Sequence, residues 1–355
     1  MKKIRIKICG FDKNNKHSSG YLILNILKKY YNVELSEDPD YLFYEESDYE
    51  HLKYDCIKIF YTGENITPNF NLCDYAIGFD YMDFGDRFYR LPVYLLAVFY
   101  NDKELKLAGE IDFTKQRVFS KQDLSNKSEF CSFVYSNYLA EEGRQTIFNK
   151  LSSYKKVNSG GRYINNIGGN VVNKLEFELK HKFSIAFENS SRLGYTTEKI
   201  VCSFVANTIP IYWGNPEIGL EFNEKRFINC HNYESFDQVV ERVKEIDNND
   251  DLYLSIINEP ILAENYDFNI VRNGFEDFLK NIFDQPLESA KRRTINSIKA
   301  KELEKGEIVA TRYFKRKLVF RKLFAKLYQP FKKIKFLESL KEKFFRYQKI
   351  KVKKL

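Results

Sequence analysis

The chain has 355 residues, beyond the size at which one hydrophobic core stops growing, so two domains separated by a cleft are expected. Hydrophobic residues make up 43% and aromatics 16%, which excludes a disordered chain, and no run of about 20 apolar residues offers a membrane-spanning helix. The net charge of +8 is unevenly placed: residues 311–355 hold 17 of the 57 basic and 2 of the 49 acidic residues, so this tail carries +15 and the rest of the chain −7.

Lys or Arg alternates with Ile up to Cys9, which predicts a strand over Ile4–Cys9 and no signal peptide. Ser18 and Ser19 offer N-caps for a helix through Tyr30, and β-like runs follow at Tyr41–Tyr44, Ile57–Tyr61 and Tyr75–Phe79. Strands alternating with helices imply parallel α/β layering. Phe133–Ser136 reads as another strand and Leu139–Ser153 as a helix leading to the turn-rich Asn158-Ser159-Gly160-Gly161. The domain boundary is placed there, with an α/β domain over 1–155 and a second over 156–288. The second domain is expected to contain a helix around Asn173–His181, a strand Phe183–Phe187 and a helix Thr197–Ala206. Strands Ile209–Trp213 and Arg226–Asn229 and helices Ser235–Ile246 and Asn269–Phe283 complete it. A polar linker over 289–310 leads to the tail 311–355, where Leu, Phe and Tyr recur every three or four residues between the charges. That spacing predicts a basic amphipathic helix, interrupted at Pro330.

Six cysteines without a CxxC pair and four histidines give no zinc spacing, and the cysteines read as reduced core residues of a cytosolic protein. His181 and His231 stand alone and are expected at the surface. Asp38-Pro39-Asp40 has a D-x-D form but sits where a turn is expected. Asp80, Asp83 and Asp86 read as solvated or capping residues, so no metal site is expected.

The most informative segment runs Phe187-Glu188-Asn189, then Gly194-Tyr195-Thr196-Thr197-Glu198-Lys199-Ile200, then Ile209-Pro210-Ile211-Tyr212-Trp213-Gly214. A strand brings Glu188 and Asn189 to its carboxyl end, where open α/β sheets bind ligands, and a short loop enters a helix with Glu198 and Lys199 in its first turn. One reading is a phosphate site, with free N–H groups at the helix start, Lys199 beside them and Glu198 available to ribose hydroxyls. The other is that Thr197 merely caps a helix whose dipole Glu198 complements.

This string resembles the signature of the α1,3-fucosyltransferases of glycosyltransferase family 10. Two further stretches are similar to the family, the first particularly to its bacterial members: Ile59–Asn65, with its Thr62-Gly63-Glu64-Asn65, followed by Asn71–Asp80 and Arg87–Pro92, and Phe133–Asn137 with Arg144 and Asn158-Ser159-Gly160-Gly161. The resemblance covers roughly residues 55–285 and implies a GT-B-like α/β fold, two Rossmann-like domains facing across a cleft. It implies an inverting transfer of L-fucose from GDP-fucose to N-acetylglucosamine of a glycan, in α1,3 or possibly α1,4 linkage, on a bacterial surface polysaccharide or lipopolysaccharide. Carried over by position, Glu64 is the catalytic base. Arg144 and Lys199 neutralise the diphosphate, Asn189 and Tyr195 bond to it or to the fucose, Glu198 holds the ribose, and Gly160 and Gly161 form the donor loop. No cofactor or metal is obligatory.

Two stretches depart from the family pattern, at Tyr81-Met82 and at Arg192, and neither is expected to touch a chemical group. GDP contacts do not report the sugar, so a transferase using another GDP-deoxyhexose or GDP-dideoxyhexose stays open. The acidic body argues against nucleic acid as the partner of the basic tail. The tail is expected to hold the protein peripherally on the anionic cytoplasmic face of a membrane.

Overall fold

The computed structural model describes residues 1–11, 19–46, 49–100, 118–137, 140–141, 143–293 and 298–328. They form two units, one of residues 1–45 and 54–293 and the other of 46–53 and 298–328.

The first unit contains two parallel sheets. In the first sheet, β1 (Lys3–Cys9), β2 (Asn32–Leu35), β3 (Tyr41–Tyr44), β4 (Ile57–Tyr61), β5 (Tyr75–Gly78) and β6 (Phe88–Arg90) lie in the order β2-β1-β3-β4-β5-β6. Ile4, Ile6 and Ile8 alternate into the core as the sequence pattern demands, whereas β3, β4 and β5 are buried along their whole length. Full burial is what a parallel strand covered on both faces requires. In the second sheet, β7 (Glu129–Phe133), β8 (Val157–Ser159), β9 (His181–Phe187), β10 (Ile209–Trp213) and β11 (Ile228–Asn229) lie in the order β11-β10-β9-β7-β8. Both orders reverse direction after the first strand, and such a reversal opens a crevice at the carboxyl ends. The expected GT-B-like pair of Rossmann-like sheets is what the chain adopts.

The sheets do not divide where the sequence suggested. Strand β7 pairs with β9 through Cys131↔Phe183 and Ser132↔Ser184, so the chain has entered the second sheet by Glu129, before residue 155. At the other end, the helix Phe268–Asp284 returns to the first sheet, where Phe283 packs 4.5 Å from Tyr41 and Phe278 5.6 Å from Tyr89. Its buried residues Phe275, Phe278, Leu279, Ile282 and Phe283 share one core with that sheet. The expected strand Arg226–Asn229 shrinks to Ile228–Asn229, because Glu224–Arg226 forms a turn of 3-10 helix capped by Asn223. The expected helix Asn173–His181 is a short one, Lys174–Glu178, and His181 already belongs to β9.

In the second unit, the segment expected as linker contributes the start of one continuous helix, Ile298–Tyr328, which runs through the 310/311 boundary. Pro330 and the remainder of the tail lie outside the described residues. Among the described residues no helix is long and apolar enough to cross a membrane.

Candidate active site

The crevice of the second sheet lies between β7 and β9. Their pairing ends at Ser132↔Ser184, and beyond it the Tyr135 hydroxyl spans the gap, donating to the Ile185 carbonyl at 2.6 Å and accepting from the Phe187 N–H at 2.7 Å. Strand separation exposes acceptors that Arg144, on the helix Gly143–Tyr154, then fills. Its guanidinium stacks 4.0 Å from the Tyr135 ring and donates to the Phe187 carbonyl at 3.0 Å, Asn189 Oδ1 at 3.0 Å and the Asn137 carbonyl at 3.2 Å. Only 1% of Arg144 is exposed, and among the described residues no carboxylate pairs with it and its Nε has no partner. A buried cation held by neutral acceptors alone is costly. Gly160 and Gly161 shape the adjoining loop: a side chain at Gly161 would strike the backbone of Tyr135, and one at Gly160 would strike Val171 and Ile167. Backbone contact thus already requires Gly161, whereas at Gly160 only side chains would have to give way.

At the end of β9, Glu188 is 1% exposed. Its carboxylate accepts from the Thr197 N–H at 2.7 Å, the Thr197 hydroxyl at 2.7 Å and Lys199 Nζ at 3.0 Å. Thr197 occupies the N-cap position of the helix Glu198–Val205, but its hydroxyl serves Glu188 and makes no cap bond. Gly214 has no side chain because any Cβ there would collide with Glu188, which accounts for the glycine closing the Ile209–Gly214 segment. Lys199 Nζ also donates to Thr197 Oγ1 at 2.7 Å and lies 3.7 Å from Glu198. Burial works to lower the lysine pKa, but Glu188 and then Glu198 hold it above the ordinary lysine range. About half of the Glu198 side chain reaches solvent. The protein around it works to raise its pKa, yet Lys199 and Lys174 outweigh that and keep it below the ordinary carboxylate range.

The first sheet presents Glu64 in the loop after β4. Its N–H donates to Thr62 Oγ1 at 3.0 Å, and the Thr62 hydroxyl donates back to the Glu64 carbonyl at 3.2 Å, a local turn that sets the backbone. Among the described residues the Glu64 carboxylate accepts no hydrogen bond. The residue is solvent-accessible, yet the walls around it restrict hydration of the charge and raise its pKa. Lys199 opposes this shift, and Glu198 and Glu188 reinforce it. Those three residues of the second sheet therefore lie near enough to act on the Glu64 proton.

The loop Asn189–Tyr195 joins the two edges. The Tyr195 ring, 2% exposed, meets Phe79 edge-on at 5.0 Å, and Gly194, at φ +79°, comes so close to the Phe79 carbonyl that any side chain would collide. Arg90 donates to the Phe79 carbonyl at 2.9 Å, the Gly194 carbonyl at 3.3 Å and Glu221 at 2.6 Å. All the sequence-predicted residues thus gather at two facing edges, with Gly160 and Gly161 the ones most fully accounted for by packing.

Several expectations are corrected. Asp80 is no solvated cap but the ion-pair partner of Arg192 at 2.7 Å, and the Arg192 guanidinium also donates to Asn65, the residue after Glu64. His181 is buried, with its ring 2.8 Å from the Phe177 carbonyl and 3.2 Å from the Asn158 amide. His231 is half-buried, stacked on Trp213, and burial lowers its pKa. Asp38 and Asp40 both clasp Arg5, each at 2.7 Å. Among the described residues no cluster of His, Cys, Asp or Glu has the grouping of a metal site. Sequence reasoning missed the organising roles of Glu188 and Arg90; an acid ending an otherwise apolar strand, ahead of Thr-x-Lys, was the available signal for the first.

Residues 6–97 match the family model described as alpha-(1,3)-fucosyltransferase FucT N-terminal domain, and residues 124–258 match glycosyltransferase family 10 (fucosyltransferase) C-term. The chain is 34% identical over 285 residues to alpha-(1,3)-fucosyltransferase FucT of Helicobacter pylori, covering 72% of this chain and 59% of that protein. It is 29% identical over 142 residues to the human 4-galactosyl-N-acetylglucosaminide 3-alpha-L-fucosyltransferase 9, covering 38% of each. The chain thus spans less than two thirds of the length of these relatives. Against the crystal structure of an α1,3-fucosyltransferase with GDP-fucose it gives a TM-score of 0.64 at 30% identity, over 81% of this chain and 93% of the other. Anabaena HepE with UDP and glucose shares the fold alone, at 7% identity and a TM-score of 0.50 over 78% of this chain and all of that one.

Proposed function

Because the chain belongs to glycosyltransferase family 10, we propose that it transfers L-fucose from GDP-fucose, with inversion, to a hydroxyl of N-acetylglucosamine in a glycan. The observation that carries this reading is Arg144, a buried guanidinium without a carboxylate partner among the described residues, at the crevice where open α/β sheets take ligands. A diphosphate supplies the missing countercharge. Lys199 has three N–H donors and two are committed to Glu188 and Thr197, so the third serves a phosphate oxygen. These fixed cations stabilise the negative charge that grows on GDP as the glycosidic bond breaks. Glu198, kept ionised by Lys199 and Lys174, accepts from ribose hydroxyls, while Asn189 and Tyr195 orient the diphosphate and fucose.

Glu64 stands on the opposite edge with a carboxylate that accepts no hydrogen bond among the described residues and has raised proton affinity, the state a general base needs. It takes the proton of the attacking hydroxyl from the face opposite the leaving group. Attack from that face converts a β-linked donor into an α-linked product. No step in this scheme requires a metal or cofactor.

Calorimetry in EDTA tests the donor: GDP-fucose should bind, GDP should compete, and Lys199→Ala should weaken both roughly tenfold or more, the worth of one charge-assisted bond. Binding of UDP-sugars with equal affinity would remove the assignment, and turnover of another GDP-deoxyhexose in preference to GDP-fucose would reassign the sugar. A product analysis over a panel of glycans identifies the acceptor and the linkage.

The helix Ile298–Tyr328 supports peripheral attachment to the cytoplasmic face of a membrane, because Tyr313, Phe314, Val319, Phe320 and Leu323 are exposed among Arg312, Lys315 and Arg316. Deleting 311–355 should abolish co-sedimentation with anionic vesicles and spare transfer to a soluble glycan. Vesicle binding that survives the deletion excludes this anchor.

A further inference from the structure

Arg192 lies in the loop that follows β9, yet its guanidinium is bound to the other sheet. It donates from Nη1 to Asn65 Oδ1 at 3.0 Å and from Nη2 to Asp80 Oδ1 at 2.7 Å and to the Thr67 hydroxyl, with the Phe79 ring 5.1 Å from its Cζ. Asn65 and Thr67 lie one and three positions after Glu64 in the same loop, and Asp80 follows β5, the strand next to β4. The Asn65 side-chain amide returns a bond to the Ser190 hydroxyl, so the two loops are tied in both directions. About one third of the Arg192 side chain is exposed, and Asp80 is largely covered, with its second oxygen buried and unpartnered among the described residues. The tie uses the spread of a planar fork, Nη1 to an amide oxygen and Nη2 to a carboxylate, a geometry that a lysine ammonium with all its donors on one nitrogen does not reproduce.

We infer that Arg192 is a positioning residue, which fixes the Thr62–Thr67 loop against the loop Asn189–Tyr195 and so holds Glu64 at the correct distance from the donor. The inference rests on the role proposed for Glu64. A carboxylate that accepts no hydrogen bond among the described residues depends on the backbone that carries it to keep its place. Arg192 acts on that backbone through Asn65 and Thr67, in the same loop, and is not placed to touch donor or acceptor.

The experiment compares R192A and R192K in the wild-type and E64Q backgrounds. R192A should lower kcat about tenfold to a hundredfold, the cost of a displacement near 1 Å, and leave GDP affinity within about threefold of wild type. R192K should fall between R192A and the wild type. In the E64Q background, R192A should cost less than about threefold more, because the group it positions is already gone. Hydrogen exchange of the Thr62–Thr67 amides should accelerate in R192A. A loss that multiplies in full with that of E64Q, or an equal loss of GDP affinity and turnover, overturns the inference. If E64Q keeps its turnover, the base assignment falls while faster exchange in R192A still upholds the tie between the loops. Unchanged exchange overturns the tie whatever E64Q does.

Discussion

Two glutamates face each other across the carboxyl edges of the two sheets, and they are held in opposite ways. Glu188 is sealed from solvent and accepts three hydrogen bonds, from both donors of Thr197 and from Lys199. Glu64 is open to solvent and its carboxylate accepts none among the described residues, while its backbone is pinned by Thr62 and, through Asn65, by Arg192. A carboxylate with filled lone pairs works as a scaffold: it sets the start of the helix Glu198–Val205 and the position of a cation. One with empty lone pairs and raised proton affinity is available to a substrate proton. The difference lies in the local partners, because the residue type is the same.

The same substitution made at both positions separates the two roles. Glu64→Gln should lower kcat by about a hundredfold or more, since it removes the proton acceptor and keeps the size, while GDP affinity stays near wild type. The acid limb of the wild-type kcat/KM profile should lie above the ordinary glutamate range, following the direction in which the walls of the site move Glu64, and should vanish in the variant. A variant keeping more than about a tenth of its turnover would return Glu64 to an ordinary surface acid.

Glu188→Gln should act the other way. The amide nitrogen must face either the Thr197 N–H or the Lys199 ammonium, donor against donor, at a side chain that is 1% exposed. The expected cost is about 1–3 kcal/mol of stability, read as a lower denaturation midpoint, together with weaker GDP binding as Lys199 loses its anchor. Unchanged stability and affinity would mean that Glu188 does not organise this edge.

How much of this the sequence carried depends on what each feature rests on. Ile209–Trp213 and Tyr41–Tyr44 were readable as strands because burial on both faces leaves a short continuous apolar run, and the helix Phe236–Asp247 because Ser235 caps an apolar stripe. Sheet membership was not readable: β7 and the helix Phe268–Asp284 look alike whichever sheet they join, since long-range pairing leaves no local mark. The site residues were legible as a set through their resemblance to a family, but their partners were not. Arg192 looked incidental because its ligands, Asn65, Thr67 and Asp80, are 112 to 127 positions away. Gly161 and Gly214 were attached to donor binding or to a signature, whereas contact with Tyr135 and Glu188 already demands them.

The smallest effect expected from the comparison is also the one that most directly tests the state of Glu64. Its pKa in the folded chain is raised, so the folded state holds that proton more tightly than the unfolded chain does. Such a group favours folding below its unfolded pKa, and this contribution is lost as pH rises through the folded value. At pH 7 the ionised Glu64 therefore carries a cost that a neutral glutamine does not. Glu64→Gln should melt at the same temperature as the wild type or slightly above it at pH 7, and the gap should close as the pH falls into and below the ordinary glutamate range. Because the side chain is exposed, solvent screens part of the effect and the gap should be small. Thermal melts of both proteins across that pH range read it directly. A variant less stable than the wild type at pH 7, by a margin that vanishes as the pH falls through the carboxylate range, would show that Glu64 is held by a favourable contact in its charged form. A carboxylate so held would be a second scaffold like Glu188, and the proton acceptor would have to be sought elsewhere on the edge of the first sheet.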